Sequence, residues 1–477
     1  MSPQMETVGM PQRLPLVIEA ANRSSAVTKD ARLVNCYVEV STQNELYIYK
    51  RPGLTSAGLI EADATGRGAY FWQDDVYTIF GDTLYRNGAS VATGLDITSG
   101  GTSGNGVYYF NQIKGAIPKL LLGNGAFSYA YTVAGGITSD LNDINPDYPI
   151  ETVKGFSYLN GATYVMQTSN VIWGSAINSV SVPGDWTAIN FITAQIEPDD
   201  GVAINKQLVY VIAFNSWSTE VFFDAGNPTA SPLGPVQGSK SSYGCASSDS
   251  VQEIDDQLFW LCTNRTSSPQ IAMMNQLSVS IVSTAPIDKI LKVMDLTTVF
   301  SWQLKMDGHN FYFITFKLSN ITLCYDLVSQ QWHQWTDTNG DYFPIVASTY
   351  DSSGRIILQH ENNGSLYYAD SSYFTDLTEA IPVDIYTPIF DASTRRRKQL
   401  NFLEIIADQI TGSTLDIRCS DDDYQTWTQF RQVDLGTKRP FLTNCGTFKK
   451  RAYNFRHNRN TFFRIQAVEV QYDLGTL

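Results

Sequence analysis

The sequence predicts an all-β protein, with a β-propeller of six or seven blades and an additional antiparallel β-sandwich or platform domain. Three observations lead to this fold class. Aromatic residues make up 12% of the chain and charged residues only 17%, and the apolar stretches are rich in the branched and aromatic side chains that favour strands. A two-strand unit recurs along most of the chain. Beyond it, the C-terminal part changes to longer strands of alternating polarity.

The recurring unit consists of a polar turn, a short aromatic and branched strand, a second turn and a second strand. One copy runs from Trp72 to Phe80 and leads into Leu84 and Tyr85. Hairpin-like units with periods of about 40 to 50 residues are typical of β-propeller blades. We therefore expect the first turns of the copies at equivalent places in successive blades. These turns lie at Asp74, Asn160, Asn205, Asp255, Asp307 and Gly354.

One copy of the unit is less obvious. The gaps between the six turns are 86, 45, 50, 52 and 47 residues, so the first gap has room for two units. The segment from 107–110 to 120–122 fits the missing copy. A generic β-sandwich with regularly spaced turns is the alternative. Because the spacing persists through six turns, it favours the propeller.

The domain organisation follows from where the repeat begins and ends. Residues 1–60 are predicted to form an N-terminal strand or extension, residues 61–380 the propeller, and residues 381–477 the C-terminal β-sandwich or platform domain. In this last part, segments such as 402–407 and 463–470 alternate in polarity, as half-exposed antiparallel strands do. A chain of 477 residues also exceeds the size at which one core usually stops growing.

Charge is distributed unevenly along the chain. The net charge is −14, but residues 380–477 contain 14 Lys and Arg against 11 Asp and Glu, so they carry +3 and the preceding part carries −17. An acidic bulk disfavours binding to nucleic acid through phosphate neutralisation. It suits a surface past which DNA must slide without being held.

Cysteine usage and hydropathy indicate the environment of the protein. The six cysteines are scattered singly, which is typical neither of a disulfide framework nor of a metal site. We expect free, mostly buried thiols formed in a reducing cytoplasm. The N-terminus lacks the basic and apolar regions of a secretory signal, and no apolar run approaches the ~20 residues of a membrane span. A soluble protein without membrane insertion is therefore expected.

The usual sequence patterns of catalytic and metal sites do not occur in this chain. The four histidines are far apart and have no metal-ligand spacing, and there is no glycine-rich phosphate-binding frame or nucleophile elbow. Carboxylate pairs occur at 74–75, 199–200 and 255–256. Glycosidases use two carboxyl groups, but these pairs lie in turns, where Asp caps its own backbone. We therefore predict a non-enzyme with no cofactor and no metal site.

The segment from Ser420 to Trp427 resembles the Asp box of sialidases, S-x-D-x-G-x-T-W. In that motif the Asp and the Trp stabilise a hairpin turn and are not catalytic. Tyr424 stands where the motif has Gly, and the segment occurs only once in the chain. It therefore predicts a β-hairpin.

Basic residues cluster in the C-terminal part of this otherwise acidic chain. Runs of this kind are usually solvated strand faces or loop ends. Their concentration in one domain nevertheless favours a docking face for an acidic neighbour, such as another copy of the same protein. The candidate docking face comprises Arg395, Arg396, Arg397, Lys398, Lys449, Lys450, Arg451, Arg456, Arg459 and Arg464.

Several segments together resemble the packaged-DNA stabilisation family, or tail nozzle (tail hub) family, of short-tailed bacteriophages. Asn35 and Arg51 lie in the segments that resemble the family's opening strand. The resemblance rests on the order of these segments and covers most of the chain. Residues 142–149 and 226–238 match no family pattern. The similar segments are 32–39, 50–54, 66–68, 84–85, 243–261, 326–333 and 446–464.

The resemblance implies a structural virion protein of a phage tail. It implies a homo-oligomer, a hexameric ring, fixed beneath the portal and the adaptor or head-tail connector ring. Tail fibre or tailspike proteins would surround this ring, and a tail needle or plug would lie below it. Double-stranded DNA would pass through the lumen without sequence-specific binding. The ring would close the portal-adaptor tube, stabilise packaged DNA and form part of the ejection channel, after synthesis and assembly in the bacterial host cytoplasm.

Two other classes stay open at this stage. A carbohydrate-active or carbohydrate-binding β-propeller protein would need convergent acids and an arginine cluster in its central pit. A bacterial propeller adhesin is the second alternative, and the missing export signal disfavours it.

Overall fold

The computed structural model describes residues 11–16, 31–41, 43, 45–97 and 106–475. Its basic unit is the antiparallel hairpin that the repeat predicts. In the first copy, Gly66–Trp72 pairs with Asp75–Phe80 through a two-residue turn. Gln73 and Asp74 in that turn have φ values of 50° and 63°, which fit the type I′ turn that matches the twist of a hairpin.

Seven four-stranded antiparallel units follow one another in the described residues, and we number them as blades 1 to 7. Blade 1 consists of Gly66–Trp72, Asp75–Phe80, Thr83–Arg86 and Ala89–Ala92; blade 2 of Tyr109–Ile113, Lys119–Gly123, Ser128–Thr132 and Gly136–Ile137; blade 3 of Ser157–Leu159, Ala162–Met166, Val171–Ser175 and Trp186–Thr193. Blade 4 consists of Gly201–Gln207, Tyr210–Asn215, Thr219–Asp224 and Leu233–Pro235; blade 5 of an interrupted first strand, Gly244–Cys245 with Gln252–Ile254, then Gln257–Thr263, Gln270–Asn275 and Ser278–Ile281. Blade 6 consists of Val299–Met306, His309–Phe316, Ile321–Asp326 and Gln331–Trp335; blade 7 of Ile345–Tyr350, Ile356–His360, Ser365–Asp370 and Gly53–Leu59.

The blades form a closed ring. Each blade contacts the next blade in the series through its first or second strand, and the first strand of blade 7, Ile345–Tyr350, contacts that of blade 1, Gly66–Trp72. Aromatic and aliphatic clusters fill the spaces between adjacent blades, as between blades 4 and 5, where Phe214 packs on Trp260. The predicted β-propeller is confirmed.

The ring closes with a strand from the beginning of the chain. Gly53–Leu59 pairs antiparallel with Ser365–Asp370 and forms the outer strand of blade 7. Leu54 of that strand also pairs with Asp376 in the short strand Thr375–Asp376, which pairs with Glu379–Ala380. Strands from the two ends of the propeller sequence are thus hydrogen-bonded within one sheet.

The rest of the chain forms two sheets, which we call the C-terminal sheets. Val38 and Leu403 of one and Ile385 and Phe455 of the other belong to a single core cluster. The first sheet contains Cys36–Val40, Leu46–Lys50, Arg464–Leu474, Lys398–Ala407 and Phe441–Thr443, with Gln12–Arg13 and Thr447–Phe448 at its sides. The second contains Arg32–Val34, Val383–Tyr386, Ala452–His457, Thr414–Ser420 and Arg431–Asp434.

The second C-terminal sheet is continuous with the propeller. Val34 pairs in parallel with Gln334 in the outer strand of blade 6, and Arg32–Val34 pairs on its other side with Val383–Tyr386. The described strands of residues 1–60 therefore lie within the C-terminal sheets and blade 7, not in an extension apart from them. The residues predicted as a C-terminal sandwich, 381–477, share their sheets with these N-terminal strands.

Five of the six predicted turns join the first and second strands of their blades. They are Asp74, Asn160, Asp255, Asp307 and Gly354, and the missing copy of the repeat is blade 2. The prediction for Asn205 was wrong, because this residue lies within the first strand of blade 4, Gly201–Gln207. The turn falls at Leu208 and Val209, where Leu208 has a φ of 53°. Leu rarely adopts this conformation, so the polar residue nearby was misleading.

Helices are few and short in the described part of the chain. They are the α-helices Leu141–Ile144 and Ala285–Leu291 and the 3₁₀ helices Ser248–Ser250 and Lys317–Ser319. None of them has the length and apolar character needed to cross a membrane.

Candidate docking face

Four of the ten predicted docking residues lie together as exposed cations. Arg395 and Arg397 precede the strand Lys398–Ala407, and Lys449 and Lys450 follow Thr447–Phe448. Lys398 pairs with Phe448 in the antiparallel register, so Arg397 and Lys449 stand beside each other where the two strands end. No ion pair holds these four side chains among the described residues. We call this group, Arg395, Arg397, Lys449 and Lys450, the basic corner.

Three other predicted residues support the loops of the basic corner from within. The ammonium group of the buried Lys398 donates to the carbonyls of Thr394, Arg396 (3.0 Å) and Lys449 (2.8 Å). Arg396 donates through Nε and Nη2 to the Gly475 carbonyl, at 3.1 and 2.8 Å. These bonds fix the backbone that carries the exposed cations.

Arg451 is the third of these supporting residues. Its Nε and Nη2 donate to the two carboxylate oxygens of Asp421 at 2.6 and 2.8 Å, and its Nη1 donates to the Cys445 carbonyl at 2.6 Å. Burial by itself would lower the pKa of Arg451, but the hydrogen bonds to Asp421 together with the charges of Tyr453, Cys419 and Asp421 raise that pKa. The side chain is 5% exposed, so it presents little charge to a partner.

The remaining three predicted residues lie away from the basic corner and interact within the chain. Arg456 forms a bidentate pair with Asp384, with both distances at 2.9 Å. Arg464 donates to Asp408 at 2.6 Å, and Arg459 donates to the Thr414 hydroxyl at 2.8 Å. The structure therefore brings four of the ten residues together as an exposed group and uses the other six mainly in intramolecular contacts.

A buried arginine that was not among the docking candidates joins the propeller to the C-terminal sheets. Arg51 donates from Nε to Asn35 Oδ1 at 3.0 Å, from Nη1 to the Pro52 carbonyl at 2.9 Å and from Nη2 to the Thr336 carbonyl at 3.1 Å. Two further bonds go to the carboxylate of Asp376. Asn35 and Arg51 belong to the segments that carry the family resemblance, which was the sequence signal for this junction.

The carboxylate pairs have structural partners. Asp75 accepts from Arg86 Nε at 2.6 Å, and Asp199 accepts from the backbone N–H of Trp217 at 2.8 Å. Asp255 accepts from Lys305 Nζ at 2.9 Å. These contacts are structural, but only Asp74 and the pair 255–256 lie in tight turns, because Asp75 begins the strand Asp75–Phe80 and Asp199 lies in the loop before Gly201–Gln207. In the described part of the chain, no cluster of three or more His, Cys, Asp or Glu side chains could hold a metal ion.

One face of the propeller carries the turns between first and second strands, and it is rich in acid. The residues Asp74, Asp255, Asp256 and Asp307 are exposed there. We call these four residues the acidic turn face. Their carboxylates come from blades 1, 5 and 6, so negative charge is concentrated on this side of the ring.

The segment resembling an Asp box forms a hairpin turn. Asp422 accepts from the Ser420 hydroxyl at 2.8 Å and from the backbone N–H of Thr426 at 2.9 Å. Hydrogen bonds from Thr426 and Ser420 lower the pKa of Asp422 to about 2. The strands on either side, Thr414–Ser420 and Arg431–Asp434, pair antiparallel, so the predicted hairpin is confirmed.

Residues 12–373 match the family model described as Bacteriophage P22 Gp10, beta-propeller. The chain belongs to this family. The family match confirms the resemblance to packaged-DNA stabilisation proteins of phages. It covers all seven blades, whereas the similar segment 446–464 lies outside the matched residues.

Several solved structures are similar to this chain at low sequence identity. This chain is similar to a chain of a mitotic checkpoint complex, at 11% identity and a TM-score of 0.35, over 77% of this chain and 97% of that one. It is similar to YCF48 from Cyanidioschyzon merolae, at 12% identity and 0.40, over 66% and 98%. The computationally designed Ika8 protein matches at 7% identity and 0.38, over 66% and 99%. With TM-scores this low, these likenesses support no argument, and no curated protein matches the chain.

Proposed function

We propose that this phage β-propeller protein is a nozzle or hub subunit of a phage tail, which assembles into a ring and closes the portal-adaptor tube around packaged DNA. Membership of the packaged-DNA stabilisation family over residues 12–373 is the observation that carries this proposal. The ring would hold the genome after packaging and form part of the channel through which it leaves. In this role the protein works through its interfaces and catalyses no reaction.

The charge distribution supports a DNA passage. Binding of proteins to DNA gains most of its free energy from cations that neutralise phosphates. The propeller part of the chain is strongly negative, and the acidic turn face presents exposed carboxylates from three blades. A lumen lined by such a surface would repel phosphates and let the duplex slide.

The opposite sign at the basic corner supports docking to an acidic neighbour. Complementary charges steer and orient association more than they add affinity. Since the propeller of an adjacent copy is acidic, the basic corner of one subunit would face the propeller of the next, in a ring of six. Adaptor subunits, tail fibres or tailspikes, and a needle or plug are the further partners that this position in the tail requires.

Two experiments test the proposal at different levels. Electron micrographs of the purified full-length protein should show rings, and a monodisperse monomer at high protein concentration would contradict self-assembly. Phage particles made without the protein should package DNA and then lose it. If such particles retained their DNA and injected it normally, the stabilising role would be wrong even if rings form.

A further inference from the structure

Two cysteines of blade 5 lie directly opposite each other on neighbouring strands. Cys245 in the strand Gly244–Cys245 pairs with Cys262 in Gln257–Thr263. Both side chains are 2% exposed and belong to the core cluster between blades 4 and 5. In the sequence the six cysteines are scattered singly. The fold brings these two together across one ladder position.

The register makes this position suitable for a covalent bond. The N–H of Ala246 donates to the Leu261 carbonyl at 2.8 Å, so the neighbouring pair, Cys245 and Cys262, is a non-hydrogen-bonded pair. In such pairs the Cα atoms lie about 4.5 Å apart and the side chains approach closely. Disulfides span Cα separations of about 4.4 to 6.8 Å. The backbone therefore needs little movement to join the two sulfur atoms.

We propose that Cys245 and Cys262 form a latent cross-strand disulfide site that locks the first strand of blade 5 to its second strand under oxidising conditions. This strand is the interrupted one, since the 3₁₀ helix Ser248–Ser250 separates Gly244–Cys245 from Gln252–Ile254. The break leaves Gly244–Cys245 with only two residues in the ladder. A covalent link would hold this short piece on the second strand of blade 5.

The reaction needs an external disulfide, such as oxidised glutathione, as its oxidant. One cysteine thiolate attacks the oxidant, forms a mixed disulfide and releases one glutathione thiol. The second thiolate attacks the protein sulfur of the mixed disulfide, so the Cys245–Cys262 bond forms and a second glutathione leaves. Two thiol protons and two electrons pass from the protein to the oxidant.

Burial makes this reaction slow in the closed blade. It raises the pKa of both thiols to about 12, and only the thiolate is the nucleophile. The thiols therefore stay reduced during brief exposure at neutral pH. Long exposure, alkaline pH or opening of the short strand should let them oxidise.

The test uses the reduced full-length protein, incubated with oxidised glutathione at pH 8.5 under native conditions. The protein is then denatured in the presence of an alkylating agent, which labels all remaining thiols, and trypsin is added. Cleavage after Lys240 and Arg265 places both cysteines in one peptide, 241–265. We expect this peptide to lose the mass of two hydrogen atoms and to resist alkylation. A second cut after Glu253 should separate its halves only after reduction.

The same digest contains matched controls. Cys36 and Cys324 are equally buried, but Lys50 and His333 are their respective cross-strand partners, so their peptides should remain alkylated as thiols. The oxidised protein should also unfold at a higher urea concentration than the reduced protein. In the variants Cys245→Ala and Cys262→Ala, this difference should disappear. Peptide 241–265 that stays fully alkylated, or carries glutathione on each cysteine without closing, would overturn the proposal.

Discussion

The guanidinium of Arg51 and the carboxylate of Asp376 form a bidentate ion pair, with Nη1–Oδ1 at 3.0 Å and Nη2–Oδ2 at 2.5 Å. With its bonds to Asn35, Pro52 and Thr336, Arg51 uses all five of its N–H donors. Asp376 lies on the strand that flanks Gly53–Leu59. This single side chain therefore ties the closing strand of blade 7 to the end of blade 6 and to the C-terminal sheets.

Replacing Arg51 should destabilise the whole fold. The Arg51 side chain is fully buried and that of Asp376 is 14% exposed, so Arg51→Met leaves a poorly solvated carboxylate without its cation. Breaking a buried pair from one side typically costs about 3 to 5 kcal/mol. We expect a loss of this order in the free energy of unfolding, measured by urea denaturation.

Arg355→Met is the matched control for Arg51→Met. Arg355 also forms an ion pair, with Asp351 at 2.8 Å, but its side chain is 59% exposed. It also lies over an aromatic ring, that of Tyr368 at 4.1 Å. Exposed pairs contribute only about 0 to 1 kcal/mol. Equal costs for the two variants would mean that Arg51 does not hold the junction.

Gln359 should be needed to hold blade 7 against blade 1. Its fully buried amide accepts from the Gly68 N–H at 2.8 Å and donates to the Ile79 carbonyl at 2.8 Å. Gln359→Met keeps the volume but leaves two buried backbone groups unpaired, each costing about 1 to 3 kcal/mol. Hydrogen exchange of blade 1 amides should accelerate. Gln303→Met, at an exposed strand position, should leave both stability and exchange unchanged.

Lys50 should make stability depend on pH in the alkaline range. Burial lowers the pKa of Lys50 to about 7, and the Arg51 charge acts in the same direction. Unfolded lysine has a pKa near 10.4, so between about pH 7 and 10 the unfolded chain binds one more proton than the folded chain at this site. This group therefore makes the folded state more stable as pH rises, by about 1.4 kcal/mol per pH unit.

Lys50→Met removes this contribution. The free energy of unfolding of Lys50→Met minus that of the unmodified protein should be largest near pH 7. This difference should decrease between pH 7.5 and 9.5, because the unmodified protein gains stability over that range. Urea denaturation of both proteins at each pH measures the difference, which cancels the titration of other groups. A difference that does not change with pH would show that Lys50 remains charged in the folded protein.

The carboxylates at Asp255 and Asp256 should prove dispensable for activity of any kind. Their φ values are 48° and 60°, and Asn tolerates this conformation as Asp does. The double change to Asn removes the exposed contact with Lys305, so we expect a change below about 1 kcal/mol in stability. Assays with sialosides and polysaccharides test the alternative. A hydrolytic activity that this variant loses while remaining folded would identify an enzyme.

The repeat was predictable because it is local. Asp74 and Asp307 lie in tight turns between strands adjacent in sequence, where polar turn residues and aromatic strands alternate within about ten positions. The strand Gly53–Leu59 was not recognised as part of blade 7, because its partner Ser365–Asp370 lies more than 300 residues away. No local pattern encodes such a pairing. The turn at Leu208 was missed because its residue type contradicts its conformation.

The docking face was only partly predictable for a related reason. A cluster of basic residues is visible in the sequence, but the carboxylates that pair with them are remote. Arg456 and Asp384 are 72 residues apart and Arg464 and Asp408 are 56 apart. The three-dimensional structure is needed to tell the basic residues that pair within the chain from those that stay exposed. The basic corner is the group that stays exposed.

Charge reversal of the basic corner should block assembly without unfolding the subunit. Its four side chains form no ion pair in the described part of the chain, so changing Arg395, Arg397, Lys449 and Lys450 together to Glu breaks no intramolecular bridge. A single change should be nearly silent, because one surface pair contributes about 0 to 1 kcal/mol. The quadruple variant should give a soluble, β-rich monomer that fails to join tails, and particles that package DNA and then leak it.

A quadruple variant elsewhere on the surface separates docking from net charge. The exposed residues Lys114, Lys289, Lys292 and Lys438, changed to Glu, alter the total charge equally. At physiological salt a Debye length of ~8 Å limits the effect of an exposed charge to its near neighbours. These changes, which lie on other loops and helices, should therefore leave ring formation and DNA retention intact. Assembly of the unmodified protein should also weaken as salt rises. If the basic-corner variant assembled and retained DNA as well as this control, these four cations would be an ordinary solvated surface with no docking role.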